Sequence, residues 1–522
     1  MFHILVSDPM SEEGLRPLLE SEQTACVQRH VDEDENLEKY DALLVRSGTK
    51  VTEEIMDKMK NLKIIARAGV GVDNIDISAA TKRGIVVINA PDGNTISTCE
   101  HTFAMIASPA RMIPQANQSL REGKWDRKAF LGTELYKKNL GIIGFGRIGS
   151  ELAVRARAFG MNLLVYDPYL TDERANELGV ASNTLDEVLE NADIITVHTP
   201  LTKETKGLLG EHNLGKTKKG VLLINFARGG IIDEQALYRY LKSGHVAGAA
   251  FDVFENEPPG DHPLFELNNF IATPHIAAST KEAQLNVASQ VAEEVLEFLN
   301  GNPIKNSINL PTISNELFQK VKPYYQLTKT MGSILSQCMN VPVQAIEVTY
   351  AGEITRLETS VITRSLLAGF LAHRVDTTVN EVNSPTVAKE RGIEYGEKYS
   401  KNSKGYSNLI NVQVTGQNDH FTMQATYVKE FGPRIVNLNG FNIDFYPHGH
   451  LIYIQHIDKP GVIGQVGQIL GNHNTNIAEM QVGRKEAGGE AIMMLSFDEP
   501  VSDEAFHALS EIKEITSIKR ID

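Results

Sequence analysis

Three residues in the chain carry side chains that together could oxidise a 2-hydroxy acid: Arg228 in NFARGGIID, Glu257 in AAFDVFENEPP and His275 in ATPHIAAST. An imidazole titrates near neutrality and can take the hydroxyl proton. A carboxylate beside it orients the ring and favours its protonated form. A guanidinium presents a planar fork matched to the substrate carboxylate. Taken singly each reads as ordinary: a loop arginine before Gly-Gly, a solvated glutamate before Pro-Pro, a core histidine after proline. What binds them into one reading is that each follows an apolar strand-like run, where an open α/β sheet places its ligand crevice.

The reaction also needs a hydride acceptor, and a second constellation supplies its cradle. In LGIIGFGRIGSELAVRARAFGMNLLVYDP, Gly144, Gly146 and Gly149 stand between an apolar run and a helix-periodic stretch. Such glycines allow a tight turn, close approach of a pyrophosphate and close helix packing, with the helix N-terminus facing the phosphates. Asp167 closes the next apolar run, where a ribose-binding acid is expected, and no arginine follows it directly. NAD is therefore expected rather than NADP.

The elements that must hold these residues alternate as βαβ units. FHILVS, ALLVRS, KIIARAG and IVVINAP form one series, and NLGIIGFG, LLVYDP, DIITVHTP, GVLLINFA and GAAFDVF a second. The spacing predicts two doubly wound parallel-sheet α/β domains, the second a Rossmann-type cofactor domain. TISTCEHTFAMIASPARMIPQA reads as a linking helix that Pro109 should kink or cut. TKEAQLNVASQVAEEVLEFLNGNP reads as a helix that makes the return crossing, which renders the outer domain discontinuous. After NLPTIS comes an α+β region with helices near Leu317–Met339 and in SVITRSLLAGFLAH. From Leu451 the order is βαββαβ, the ferredoxin-like arrangement.

The formal net charge of -15 argues against nucleic acid, which calls for clustered Lys and Arg. An anionic substrate must then be caught by a few local cations. Cys26, Cys99 and Cys338 form no CxxC pair and are odd in number, which points to a reducing cytoplasm and no metal site. No run approaches the ~20 apolar residues of a membrane span.

At Arg228, Glu257 and His275 the sequence resembles the D-isomer-specific 2-hydroxyacid dehydrogenases, whose catalytic Arg, Glu and His occur in this order and context. LLVRSGTKVT, IIARAGVGVDNID, NAPDGNT, EHTFAM and HTPLTKETKGLLG resemble the members that act on a phosphorylated substrate. The resemblance implies NAD-dependent oxidation of 3-phospho-D-glycerate (3-phosphoglycerate) to 3-phosphohydroxypyruvate, the entry to serine synthesis. It implies substrate contacts from Arg46, Ser47, Gly48, Gly71 and Asn94, with Arg46 on the phosphate. Cofactor contacts implied are Val70, Gly144, Gly146, Arg147, Ile148, Gly149, Asp167, Thr199, Phe226, Ala227, Arg228, Asp252, His275, Ala277 and Ala278. Ala277 stands where members commonly have Gly, and its methyl is expected to crowd the nicotinamide.

Pro311–Gly440 resembles the intervening domain of the longer bacterial members, where Lys389, Arg391 and Lys398 of VNSPTVAKERGIEYGEKYS read as a solvated basic helix face, with an anion site as the alternative. The last region resembles an ACT domain, which implies L-serine as effector at His456, Asp458 and Asn476, with Gly461 and Val462 allowing backbone approach. The boundaries expected are 1–97 with 286–310 for the substrate-binding domain, 98–285 for the NAD-binding domain, 311–445 for the intervening domain and 450–522 for the ACT domain. A homotetramer is expected by analogy. Two rival readings stay open: a reductase of glyoxylate, 2-oxoglutarate or another unphosphorylated 2-oxo acid, and a non-enzymatic dinucleotide-sensing regulator.

Overall fold

A computed structural model describes residues 1–339, 341–417 and 419–521. Its first sheet is parallel and five-stranded, in the spatial order Thr24–Gln28, Phe2–Val6, Ala42–Val45, Ile64–Arg67, Val86–Asn89. The second is parallel and six-stranded: Phe270–Ala272, Val246–Phe251, Val221–Asn225, Ile194–Val197, Asn139–Ile143, Asn162–Tyr166. Both sheets are covered on both faces, which is why their strands read as continuous apolar runs rather than alternating ones. In each sheet the strand order reverses beside the first strand of its series, and the crevice of a doubly wound sheet opens there at the carboxyl ends.

Two helices cross between the sheets. Thr95–Ala110 packs Cys99, Met105 and Ile106 into the core of the second sheet. Lys281–Leu299 returns, burying Val287, Val291 and Val295 with Ile4 and Val6 of the first sheet. The chain then bridges Ser307 to Ile88, so the first domain is discontinuous and the second is inserted in it. Pro109 cuts the linking stretch: it lacks the N–H that would bond the carbonyl of Met105, the helix stops one residue later at Ala110, Met112 turns left-handed at φ 50°, and a new helix runs from Ile113 to Arg121.

The third sheet is mixed: Glu394–Ser400 pairs parallel with Val343–Gly352, and Asn408–Gly416, Asp419–Val428, Gly432–Leu438 and Phe441–Phe445 follow antiparallel. Helices Asn315–Cys338 and Thr359–Leu371 cover it. The basic segment is not one helix face: Lys389 lies on the helix Ser384–Glu390, Arg391 caps it, and Lys398 lies on an edge strand paired with Glu347 at 2.5 Å. Gly392 at φ 70° breaks the helix between them. The fourth sheet, ordered Glu479–Arg484, Glu490–Phe497, His450–Ile457, Ile515–Ile521, carries helices Val462–Asn472 and Asp503–Ser510 in βαββαβ sequence. Among the described residues, no helix is long and apolar enough to cross a membrane.

Candidate active site

The glycine loop divides its labour by position. Gly144 takes φ 93°, and a Cβ there would lie 2.7 Å from the carbonyl oxygen of His198. At Gly149 a Cβ would lie 2.4 Å from the carbonyl oxygen of Gly144, so the helix Arg147–Ala158 can approach the loop only without a side chain. At Gly146 nothing stands within 4 Å, leaving the helix N-terminus open to an anion. Asp167 accepts the backbone N–H of Phe145 at 2.7 Å and of Tyr169 at 2.8 Å, which holds its carboxylate over the loop. Thr199, facing Gly144, has a buried hydroxyl oxygen without a hydrogen-bond partner. An open helix N-terminus, a strand-end acid and an orphaned hydroxyl fit a dinucleotide. Arg147 reaches across the cleft to Asp92 at 2.5 Å, while Ile148 packs against the core.

The structure brings His275 and Glu257 into contact. His275 Nδ1 meets Glu257 Oε2 at 2.7 Å, and Glu257 Oε1 accepts the Phe254 backbone N–H at 3.0 Å. Partial burial pushes the Glu257 carboxyl upward, but the His275 hydrogen bond, the Phe254 amide and the charges of His275 and Arg228 outweigh it and hold it below the ordinary range. His275 occupies the left-handed region at φ 52°, a conformation that a non-glycine residue keeps only when its surroundings impose it. Asp252 imposes it: fully buried, it accepts Thr273 Oγ1 at 2.5 Å, Ile276 N at 2.9 Å and Ala277 N at 2.8 Å, while its carbonyl accepts His275 N at 2.9 Å. With its carboxylate so engaged, Asp252 acts first as the brace of the histidine loop.

Arg228 comes from the loop after Val221–Asn225, which buried Asn225 closes by accepting Ala227 N at 3.1 Å and donating to Arg228 O at 2.9 Å. Its Nε meets Asp73 at 3.0 Å, and a Cβ on Gly71 would lie 1.8 Å from its Nη2, so Gly71 clears the space for the guanidinium. Phe226 is buried in the core of the second sheet, its ring in an edge-to-face pair with His101. Ala277 too belongs to this buried core, with Ala278 half-buried beside it.

On the opposite wall, buried Asp8 accepts Arg46 N at 2.5 Å and Thr49 N at 3.2 Å. This ties the Arg46–Ser47–Gly48 turn to the end of the first strand, and a Cβ on Gly48 would lie 2.7 Å from Asp8 Oδ1. The Val70 carbonyl is held by Asn89 Nδ2 at 2.6 Å, and Asn94 has a buried Oδ1 with no partner. Sequence reasoning passed over Arg67, although it stands in IIARAGVGVDNID. Burial, together with the like charges of Arg228 and Arg46, pushes its pKa down to about 10, and its Nε is buried without a partner. A buried guanidinium disfavoured by two neighbouring guanidinium groups describes a site shaped for an anion. The signal was an arginine at the end of the apolar strand Ile64–Arg67. Asp73, the partner of Arg228, was missed as well.

In the fourth sheet His456 is buried, with Nδ1 3.0 Å from the Ile457 carbonyl and Nε2 unpartnered. That arrangement puts the proton on Nδ1 and leaves Nε2 as a buried acceptor awaiting a donor. Asp458 accepts Arg484 at 3.0 Å and Gly488 N at 3.2 Å, and Arg484 above all holds its carboxyl below the usual range. Gly461, at φ 96°, caps the helix that Val462 begins. Asn476 is exposed and follows the other end of that helix, about 16 Å away at 1.5 Å per residue. One copy of the domain does not bring it to Asp458.

Residues 103–277 match the D-isomer specific 2-hydroxyacid dehydrogenase NAD binding domain, 320–439 the D-3-phosphoglycerate dehydrogenase intervening domain and 450–514 the ACT domain. A D-lactate dehydrogenase from Aquifex aeolicus, solved with NAD and lactic acid, superposes with a TM-score of 0.53 at 32% identity, covering 59% of this chain and 100% of its own. An NAD-dependent formate dehydrogenase from Staphylococcus aureus, solved with NAD, gives 0.53 at 30%, covering 60% and 100%. Fold and site thus define an NAD-linked dehydrogenase of the D-isomer specific 2-hydroxyacid class. A D-3-phosphoglycerate dehydrogenase from Bacillus subtilis is 62% identical over 523 residues, covering 100% of both chains. One from Methanocaldococcus jannaschii is 44% identical, covering 100% of this chain and 99% of its own. The chain belongs to the D-3-phosphoglycerate dehydrogenase family.

Proposed function

We propose that this protein oxidises 3-phospho-D-glycerate to 3-phosphohydroxypyruvate with NAD, under feedback from L-serine, as the first step of serine synthesis. The observation that carries the reading is the His275–Glu257 pair at 2.7 Å, within the field of Arg228 and across the cleft from Arg46 and Arg67. NAD, when bound, supplies the acceptor for the hydride that leaves C2. His275 takes the hydroxyl proton at Nε2, because Nδ1 is engaged by Glu257. Arg228 holds the carboxylate and polarises the forming carbonyl, and Gly71 keeps its path clear. Arg46, Ser47 and Gly48 receive the phosphate, and Asn94 and Arg67 supply the remaining polar contacts. The substrate domain is 1–97 with 286–310, and 98–285 holds the cofactor.

The effector reading rests on the unpartnered buried Nε2 of His456. L-Serine sits between two copies of the last domain, its amino group replacing Arg484 on Asp458 and Asn476 reaching in from the second copy. That arrangement, and the exposed apolar side chains of Leu120, Trp125 and Leu131, support a homo-oligomer; a tetramer and a cytoplasmic location follow by analogy.

The test follows NADH formation with 3-phosphoglycerate, with and without L-serine, in the parent and in Arg46→Ala. The expected outcome is turnover that serine suppresses, and a KM for 3-phosphoglycerate raised about tenfold or more in the variant. The same substitution should leave the KM for an unphosphorylated 2-hydroxy acid within about twofold. Absence of turnover with every 2-hydroxy acid tried would favour a dinucleotide-sensing regulator.

A further inference from the structure

The loop that carries Glu257 is held by a second carboxylate–imidazole pair that the reaction does not touch. Glu234 opens the helix Glu234–Lys242, after Asp233 has capped it. Its Oε1 accepts the backbone N–H of Glu255 at 2.7 Å and its Oε2 meets His262 Nε2 at 3.0 Å. Its side chain is 9% exposed and that of His262 18%. One carboxylate on a rigid helix therefore grips the catalytic loop at both ends, two residues before Glu257 and five after it.

The protonation pattern is set by the neighbours. His262 Nδ1 accepts the Leu264 backbone N–H at 3.3 Å, so the ring proton sits on Nε2 and is donated to Glu234. Phe254 and Phe265 pack on the ring, with centroids 5.8 and 5.6 Å away. Below the loop, a Cβ on Gly229 would lie 1.9 Å from the Phe254 carbonyl carbon. The Glu257 loop is thus laid flat on the Arg228 loop, and Glu234 and His262 hold it down.

We propose that Glu234 and His262 are positioning residues for the oxidation: they fix the loop 254–262 so that Glu257 meets His275 Nδ1 and the Phe254 amide at once. The proposal rests on the functional reading above. Glu234→Gln keeps an oxygen for Glu255 N but turns an amide donor toward the His262 Nε2–H. If the ring changes tautomer to accept that donor, its new Nδ1–H faces Leu264 N–H. One hydrogen bond is lost either way. His262→Gln, whose side-chain amide can still donate to Glu234, is the conservative variant, and His262→Ala removes the donor.

Two measurements on the full-length protein test this. The first is amide hydrogen exchange of peptides covering 252–264 in parent, Glu234→Gln, His262→Ala and His262→Gln. Exchange is expected to rise about tenfold in the first two variants and to stay near the parent in the third. The second is a double-mutant cycle on kcat for 3-phosphoglycerate. Glu234→Gln should lower kcat about tenfold or more with KM for NAD within about twofold, and should cost nothing further in the Glu257→Gln background. A general structural role would lower kcat by the same factor in both backgrounds and would overturn the proposal. Unchanged exchange across 252–264 in Glu234→Gln would overturn it too. If the parent itself does not reduce NAD, the functional reading fails, and the catalytic part of this proposal with it, while the exchange result still judges the clamp.

Discussion

A side chain at the wrong glycine does different damage at each of the three positions of the cofactor loop. A methyl at Gly149 would press on the carbonyl oxygen of Gly144 from 2.4 Å, a backbone atom that cannot move aside without reshaping the loop. Gly149→Ala should therefore weaken NAD binding about tenfold or more, roughly 1.4 kcal/mol, as read by calorimetric titration of the cofactor. An affinity within twofold of the parent would refute the packing argument. The residues of this site were legible in the sequence to unequal depth. Arg228, Glu257 and His275 could be singled out because motif and context agreed, and so could the glycines with Asp167. Arg67 and Asp73 escaped because nothing in a linear pattern says that two strand-end loops of different domains face each other. A segment can be matched without knowing which way each side chain turns, and the structure adds that the side chains of Ala277 and Phe226 are buried.

Among the elements, the strand Ile194–Val197 is followed by His198, whose carbonyl faces Gly144 and whose ring meets Thr196 Oγ1 at 3.0 Å through Nε2, with Nδ1 buried. Burial pushes its pKa down to about 4, from an ordinary value of 6.5. The sign follows directly: the folded state disfavours the proton, so stability is full above about pH 6.5 and falls as pH drops toward 4. The loss saturates at about 3 kcal/mol. His198→Gln should therefore lose less stability than the parent between pH 7 and pH 4, measured as the Tm difference between the two at each pH. A Tm difference independent of pH would contradict a buried neutral imidazole. Strands and helices with both faces buried, or with clean periodicity, could be read from sequence here. Glu394–Ser400 and Gly432–Leu438 could not, because exposed or partly covered strands carry no apolar alternation strong enough to separate from loop. Pro109 was readable as a break because a proline removes the i→i−4 hydrogen bond, and the linking stretch does divide there into Thr95–Ala110 and Ile113–Arg121.

Across the whole molecule, four sheets are strung on one chain, and among the apolar groups that the surface leaves uncovered several fall close together in one segment. Trp125 is 80% exposed and Leu131 87%, in the segment that links the short helix Ile113–Arg121 to the cofactor sheet. Exposed groups of that size in one segment suit the contact with another chain proposed above. Trp125→Glu should lower the mass found by light scattering by at least half, and an unchanged mass would remove this face from the assembly. The inserted topology was legible because the return helix has its own period and stop signal.

The central claim is that His275 and Glu257 act as one unit within the field of Arg228. The most direct test is kcat for NADH formation from 3-phosphoglycerate in His275→Ala, Glu257→Gln and the double variant. Each single substitution should lower kcat by about 10²–10⁴, and the double should be no worse than the poorer single. A kcat within twofold of the parent in either single variant, or losses that simply multiply in the double, would contradict the account.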